Sequence, residues 1–290
     1  MIGAWLLALS LKVAHAGPES DLRALAGVSA GYAEALSAAV NNPTLSDAAL
    51  AQLAESADWR VRQQAEVVLV WREAPVTAEA IHTAEPRLTR AGTLRLQDPS
   101  LDSPKAAPVL VDRLLHEPDP LRRAALADAV SRQAAVDPVV LSGLIGAEPD
   151  AAVRAQLVWG WREHADAEAA LVGLRVGLRD PDPGVRAQAA AAAGYRDNGA
   201  DLADDLVKLL DDSAPEVRAL AARSLGWLRV DSASQPLVKL LDESSSDVRL
   251  AALHALERID REAAAALPEL APLARDPDPR VVRAAADLAR

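Results

Sequence analysis

The chain has 290 residues, half of them apolar, but that apolar content is mainly Ala, Leu and Val, with no Phe, one Met and two Tyr. Such small, uniform side chains suit closely packed helices better than a β-sandwich. A formal net charge of −11 argues against gripping a nucleic-acid backbone, and the absence of cysteine excludes disulfides, Cys-ligated zinc, iron–sulfur clusters and a thiol nucleophile.

The opening MIGAWLLALSLKVAHA carries an apolar run from Ile2 to Leu11 and then Ala14-His15-Ala16, a small-x-small cleavage pattern. Spanning a bilayer takes about 20 apolar residues, so residues 1–16 read as a bacterial signal peptide, which implies a periplasmic or secreted protein. No Lys or Arg precedes Lys12, which leaves the alternative of a first packing helix in a cytoplasmic chain. Residues 17–44, with ESDLRALAGVSAGYAEALSAAV, supply an N-terminal packing helix.

From residue 45 to 290 the chain repeats itself. A Val-Arg pair stands at Val61-Arg62, Val153-Arg154, Val185-Arg186, Val217-Arg218 and Val248-Arg249. Arg122-Arg123 fits the frame with Val replaced, and Val281-Val282 fits with the Arg displaced to Arg283. Counted from 122, the marker returns at 153, 185, 217, 248 and 281, in steps of 31, 32, 32, 31 and 33 residues. A degenerate copy is expected near Thr89-Arg90, within residues 85–116, giving about eight units of which the last is a half-repeat. The hexapeptide LVKLLD at 206–211 recurs at 237–242, so the second half of the unit repeats too.

Each unit reads as two helices. Asp182-Pro183 places a capping acceptor before a ring that needs no N–H, and Asp119-Pro120 and Asp278-Pro279 repeat the device. Apolar residues follow the marker Val at +4 and +8, as in Val217/Ala221/Leu225 and Val248/Ala252/Leu256. Gly194 and Gly226 are expected to end first helices. A hairpin of this kind buries its stripe only by stacking on its neighbours, and the alanines let those neighbours approach closely.

The motif DPDPxVRxxAAxALG resembles the HEAT-like repeats first noted in phycobilin lyase subunits, strongly from residue 117 onward. That resemblance implies an all-α, right-handed α-solenoid of HEAT-like helix-pair repeats. The wider superfamily holds scaffolds, chromophore lyases, a di-iron hydroxylase and DNA-alkylation glycosylases, so the resemblance specifies fold more than function. The histidines at 15, 82, 116, 164 and 254 share no repeat position, and only His116-Glu117 matches the hydroxylase's His-Glu pairs. No metal or other cofactor site is expected. Neither a Gly-x-Ser-x-Gly elbow nor a Gly-rich phosphate loop occurs, and no catalytic residue is assigned.

The ladder Arg62, Arg123, Arg154, Arg186, Arg218 and Arg249 lies on the flank of the buried stripe, where each Arg can pair with a loop acid such as Asp180 or Asp212. It reads as glue between repeats. Trp161, at +8, fills the core, whereas Trp159, at +6, lies about 200° round the helix from the stripe and is a candidate partner contact. Trp71, Tyr195 and Trp227, all at +10, with Arg196 and Arg229, form a second candidate edge. Asp204 and Lys208 are candidates on the second helices. The last helix continues the stripe with Val281, Ala285 and Ala289 and is either a cap or a surface for self-association. The resulting expectation is a non-enzymatic scaffold for a protein partner, with no nucleic acid and no membrane span. The alternatives are a chromophore or protein-modification lyase of the same fold, and a self-assembling spacer.

Overall fold

The computed structural model describes residues 17–290 apart from 29–30, 74, 89–93, 97–100, 102 and 165. The expected signal segment and the Thr89-Arg90 marker lie outside the described residues. The fold is an all-α solenoid of helix pairs, and the chain divides into two compact units, residues 1–144 and 145–290.

In the first unit, helices α1 (Pro18–Ala26), α2 (Tyr32–Val40) and α3 (Asp47–Leu53) precede the long α4 (Trp59–Glu73). The expected single N-terminal packing helix is thus two, broken at Gly31, whose φ of 76° suits a residue without Cβ. After α5 (Pro75–Thr83), β1 (Pro86–Leu88) and β2 (Leu94–Leu96) pair antiparallel, with Arg87 opposite Arg95. Pro86 and the alternation Leu94-Arg95-Leu96 favour an extended chain over a helix there. Strand β2 packs on α7 (Pro120–Ser131), which follows α6 (Ala107–His116). Arg95 pairs with the largely buried Asp128 of α7 at 3.3 Å. Helix α8 (Pro138–Ala147) spans the division.

The second unit holds the regular array. First helices α9 (Ala151–Gly160), α11 (Pro183–Gly194), α13 (Pro215–Trp227), α15 (Ser246–Ile259) and α18 (Pro279–Leu288) each pack on the next. Between them run the shorter α10 (Ala167–Gly177), α12 (Ala203–Lys208), α14 (Ser234–Lys239), α16 (Arg261–Ala265) and α17 (Leu270–Leu273). The marker valines 153, 185, 217, 248 and 281 are fully buried. Asp182 Oδ1 accepts from Gly184 N at 2.8 Å and Asp150 Oδ1 from Ala152 N at 2.9 Å. Each such cap contributes about 1 kcal/mol.

Gly194 is the last residue of α11 and Gly226 the next to last of α13, as expected of helix ends, though neither has a positive φ. Their role is close approach: a Cβ on Gly226 would sit 2.5 Å from Ala255 Cα, and one on Gly194 would sit 2.6 Å from Ser224 Oγ. Ser224 in turn donates to Ala190 O at 2.7 Å, tying α13 to α11. The residue that closes α13 in the left-handed region is Arg229, with φ 50°. Val230 N donates to Leu225 O and Arg229 N to Gly226 O, a Schellman closure in which glycine is the usual occupant. At the last helix the buried face is Val281, Ala285 and Leu288, while Ala289 is exposed. Arg280, Arg283, Ala286 and Asp287 are exposed there, with Val282 and Ala284 half-buried.

Candidate functional site

The arginine ladder has one geometry in the second unit. The Nη1 of each arginine donates to two carbonyls of the loop just before its own helix, as Arg186 does to Asp180 O and Pro181 O at 2.9 and 3.0 Å. The Nε–Nη2 fork then takes an acid in the following loop. Arg154 meets Asp180 at 2.8 and 2.9 Å, Arg186 meets Asp212 at 2.7 and 2.8 Å, and Arg249 meets Asp276 at 2.7 Å twice. Arg218 makes a single bond to Glu243 at 3.0 Å. The bonds from Arg186 and Arg249 hold Asp212 and Asp276 below the usual carboxylate range. Burial pushes Asp180 the other way, and the bonds from Arg154 and the Asp182 N–H outweigh it. In the first unit Arg123 clasps Glu117 O and Pro118 O at 3.2 and 2.9 Å, whereas Arg62 only approaches Asp137, at 3.7 Å.

A second set of arginines staples corners. Arg196 donates to the carbonyls of Trp161, Arg162 and His164 at 2.6, 3.2 and 3.1 Å, so this candidate contact is engaged within the fold. Arg72 does the same in the first unit, reaching Val40 O and Leu45 O at 2.8 and 2.6 Å. These arginines are structural because a guanidinium with its donors occupied by buried carbonyls has little left for a ligand.

The other candidates converge. Trp159 lies edge-on to Tyr195 with centroids 5.5 Å apart, and Tyr195 lies 5.0 Å from Trp227. The Arg162 guanidinium sits 4.3 Å over the Trp159 ring, within cation–π range. Three successive first helices therefore contribute one continuous row of rings. Position +6 and position +10 differ by four residues and so share a helix face, which is why sets that the sequence presents separately meet. Tyr195 is 59% exposed, while the flanking tryptophans are half-buried and hold it. Arg229, two residues after Trp227 in the chain, is exposed, its side chain making no hydrogen bond or ion pair among the described residues. On the second helices Asp204 is exposed, and Lys208 Nζ lies 3.8 Å from Asp205, which Arg175 and Arg179 also approach.

Trp71 does not join an outer edge. It lines a cavity of about 560 Å³ in the first unit, together with Tyr32, His82, Arg113 and His116. Behind the wall lies the fully buried Asp112. The Tyr32 hydroxyl donates to Asp112, and Gln64 Nε2 donates to it at 3.3 Å. His116 Nδ1 donates to Asp112 O at 2.8 Å and stacks on Tyr32 with centroids 3.6 Å apart. Burial, then the Asp112 charge, pushes the Tyr32 hydroxyl far up, so it stays protonated. Burial works against a charged His116, but bonding to Asp112 raises its pKa on balance; burial lowers that of His82. These residues have no common spacing, and sequence reasoning did not gather them. Among the described residues no group of three or more His, Cys, Asp or Glu is placed to hold a metal ion, and no helix is long and apolar enough to cross a membrane.

Comparison with known proteins bears on this fold. Residues 203–289 match the family model of HEAT repeats. That stretch runs from α12 to the end of α18, the most regular part of the array. Among solved structures, the designed armadillo repeat protein YIII(Dq.V1)4CPAF, in complex with the peptide (KR)4, is similar at 24% identity. The likeness covers 63% of this chain and 98% of that one, with a TM-score of 0.44. The Escherichia coli protein YibA is 18% identical over 91% of this chain and 98% of its own, with a TM-score of 0.48. An engineered protein is 23% identical over 93% of this chain and 73% of its own, with a TM-score of 0.45. No curated protein matches the chain.

Proposed function

We propose that the protein is a non-catalytic scaffold that holds a partner protein on the aromatic row of its second unit. The observation that carries this reading is the row itself: Tyr195 in contact with Trp159 on one side and Trp227 on the other, with the Arg162 guanidinium over Trp159. Tyr, Trp and Arg are the residues that dominate binding energy at protein interfaces. Here they come from rigid helix ends, so little side-chain entropy is lost when a partner docks. Arg229 supports the same reading. A non-glycine residue in the left-handed region costs about 1 kcal/mol or more, and the helix closure alone would be better served by glycine. An exposed side chain held at that cost, two residues after Trp227 in the chain, is what a contact surface requires.

The partner presents an apolar or aromatic side chain to Tyr195 and an acceptor or acid to Arg229. Its location is outside the cytoplasm, a proposal that rests on the Ile2–Leu11 run and the Ala14-His15-Ala16 pattern. An intact mass of the native protein lacking residues 1–16 is the expected result, and a full-length cytoplasmic chain would contradict it. The scaffold reading is tested by quantitative affinity capture from the native host with wild type and with Tyr195→Ala/Trp227→Ala. The expectation is a partner retained by wild type and depleted at least tenfold by the double variant. Capture of the same proteins in equal amounts would refute the row as the binding surface.

A further inference from the structure

The register that builds the aromatic row continues past Trp227. A Cβ on Gly194 would meet Ser224, and one on Gly226 would meet Ala255. Counted from the marker valines, both contacts run from +9 of one first helix to +7 of the next, so α11 sits on α13 as α13 sits on α15. Tyr195 meets Trp227 from +10 to +10, and one period on the same relation sets Arg258 of α15 beside Trp227. Trp159 meets Tyr195 from +6 to +10, and the same relation sets Arg223 of α13 beside Arg258. Where the earlier helices place rings, the later ones place guanidiniums.

This end of the row is basic on a molecule whose net charge is −11. Arg223, Arg229 and Arg258 are exposed, and none makes a hydrogen bond or ion pair among the described residues. They differ in this from the arginines of the ladder and the corners, such as Arg186 and Arg196, whose donors are taken within the fold. Arg223 and Trp227, four apart, share a face of α13, as the exposed His254 and Arg258 share one of α15. No Asp or Glu occupies the +2, +6 or +10 position of either helix. Glu257, next to Arg258 in the chain, is engaged by Arg261. Like charges at neighbouring positions repel, and an anionic group between them relieves that cost.

We propose that the partner meets this end of the row with an acidic peptide segment, a reading that rests on the row as the contact surface. A carboxylate of the segment accepts from Arg223 and Arg258, while an apolar side chain beside it lies on Tyr195 and Trp227. Guanidiniums suit this task, because their planar fork takes a carboxylate through two parallel bonds. A nucleic-acid backbone or a lipid surface suits the face less well. Exposed Asp197 follows Tyr195 by two residues and exposed Asp231 follows Trp227 by four, so acids punctuate the chain along the row. A phosphate chain requires clustered basic groups along its length, and an anionic lipid surface repels a body of net charge −11. A short acidic segment reads the arginines without covering those acids.

The test is fluorescence anisotropy of the full chain with three labelled peptides, Glu-Glu-Trp-Leu-Glu-Glu, Gln-Gln-Trp-Leu-Gln-Gln and Lys-Lys-Trp-Leu-Lys-Lys. The acidic peptide is expected to bind at least tenfold tighter than the neutral one, and the basic one not to bind. Added salt is expected to narrow the gap, because the arginines are exposed. Arg223→Gln/Arg258→Gln is expected to bring the acidic peptide within about twofold of the neutral one and leave the neutral one unchanged, which also establishes that the face remains folded. Tyr195→Ala/Trp227→Ala is expected to weaken both. Absence of binding by the acidic peptide, equal binding of the acidic and neutral peptides, or an unaltered acidic affinity in the arginine variant would overturn the proposal. Binding to vesicles of phosphatidylcholine and phosphatidylserine that the arginine variant loses would overturn it in favour of a lipid surface. If the acidic and neutral peptides bind equally and the ring variant loses both, the acidic segment falls and the row stands. If the ring variant binds both as wild type does, the row itself falls.

Discussion

The inter-repeat fork can be tested as a pair. Arg186 and Asp212 are 16% and 8% exposed, which places them nearer the buried than the surface regime. Exposed ion pairs contribute about 0–1 kcal/mol, whereas removing one partner of a fully buried pair costs about 3–5 kcal/mol. Arg186→Ala takes two donors from Asp212 and one from the carbonyls of Asp180 and Pro181. Asp212 keeps only its bond from Ala214 N, at 2.9 Å. The expected cost is about 2–3 kcal/mol for Arg186→Ala and about the same for Asp212→Ala. The double variant should fall short of their sum by about 2 kcal/mol, because the second truncation removes a group already without its partner. Urea unfolding followed both by circular dichroism and by tryptophan fluorescence measures the cycle, and agreement of the two probes checks that the transition is cooperative. The exposed i,i+4 pair Arg23–Glu19, 59% and 55% exposed, is the internal control and should couple by less than about 0.5 kcal/mol. Additive single variants at 186 and 212 would refute the view that the fork joins one repeat to the next.

Three further expectations follow from the same geometry. Asp180, Asp212 and Asp276 have folded pKa values below the 3.8 of the free carboxyl, so their contribution is present above that value and is lost as pH falls through the folded values. Thermal stability of wild type should accordingly drop below about pH 4, and less so in Asp212→Asn; an equal acid response in both would count against the ladder as its source. Gly226→Ala puts a Cβ 2.5 Å from Ala255 Cα and should destabilise by about 1–3 kcal/mol, despite the better helix propensity of alanine. A gain in stability in chemical denaturation would show that the helices are not in that contact. Arg229→Gly should raise stability by about 1 kcal/mol while weakening capture of the partner, and a variant that is more stable and binds equally well would remove Arg229 from the interface.

Much of the regular array was legible because local chemistry and period coincide. The Val-Arg marker, the Asp caps and the alanines each specify one position in a helix pair, and the spacing of about 31 residues carries each arginine to an acid about 26 residues on, as from Arg154 to Asp180 and from Arg186 to Asp212. Where the period lapses, so does the reading. Pro86–Leu88 and Leu94–Leu96 pair as strands whose alternation is short and easily hidden under an expected repeat. Gly194 and Gly226 stand at helix ends as their composition suggests, but their close contact with the next helix is invisible in a local window. Tyr32, Gln64, His82, Asp112 and His116 come from four helices and meet only through tertiary packing, so no spacing announces them. The row was half legible: its residues were singled out, but their union depends on how α9, α11 and α13 are staggered.

The central claim is that the partner contacts the face marked by Tyr195. It is tested most directly by placing a photo-crosslinking amino acid at position 195 in the native host, with position 262, the exposed Glu262 of α16, as comparison. The account predicts one dominant crosslinked protein from 195, absent from 262 and diminished when Trp227→Ala is combined with it. Crosslinks of equal yield and identity from both positions, or none from 195 while the protein is bound to a partner, would contradict it.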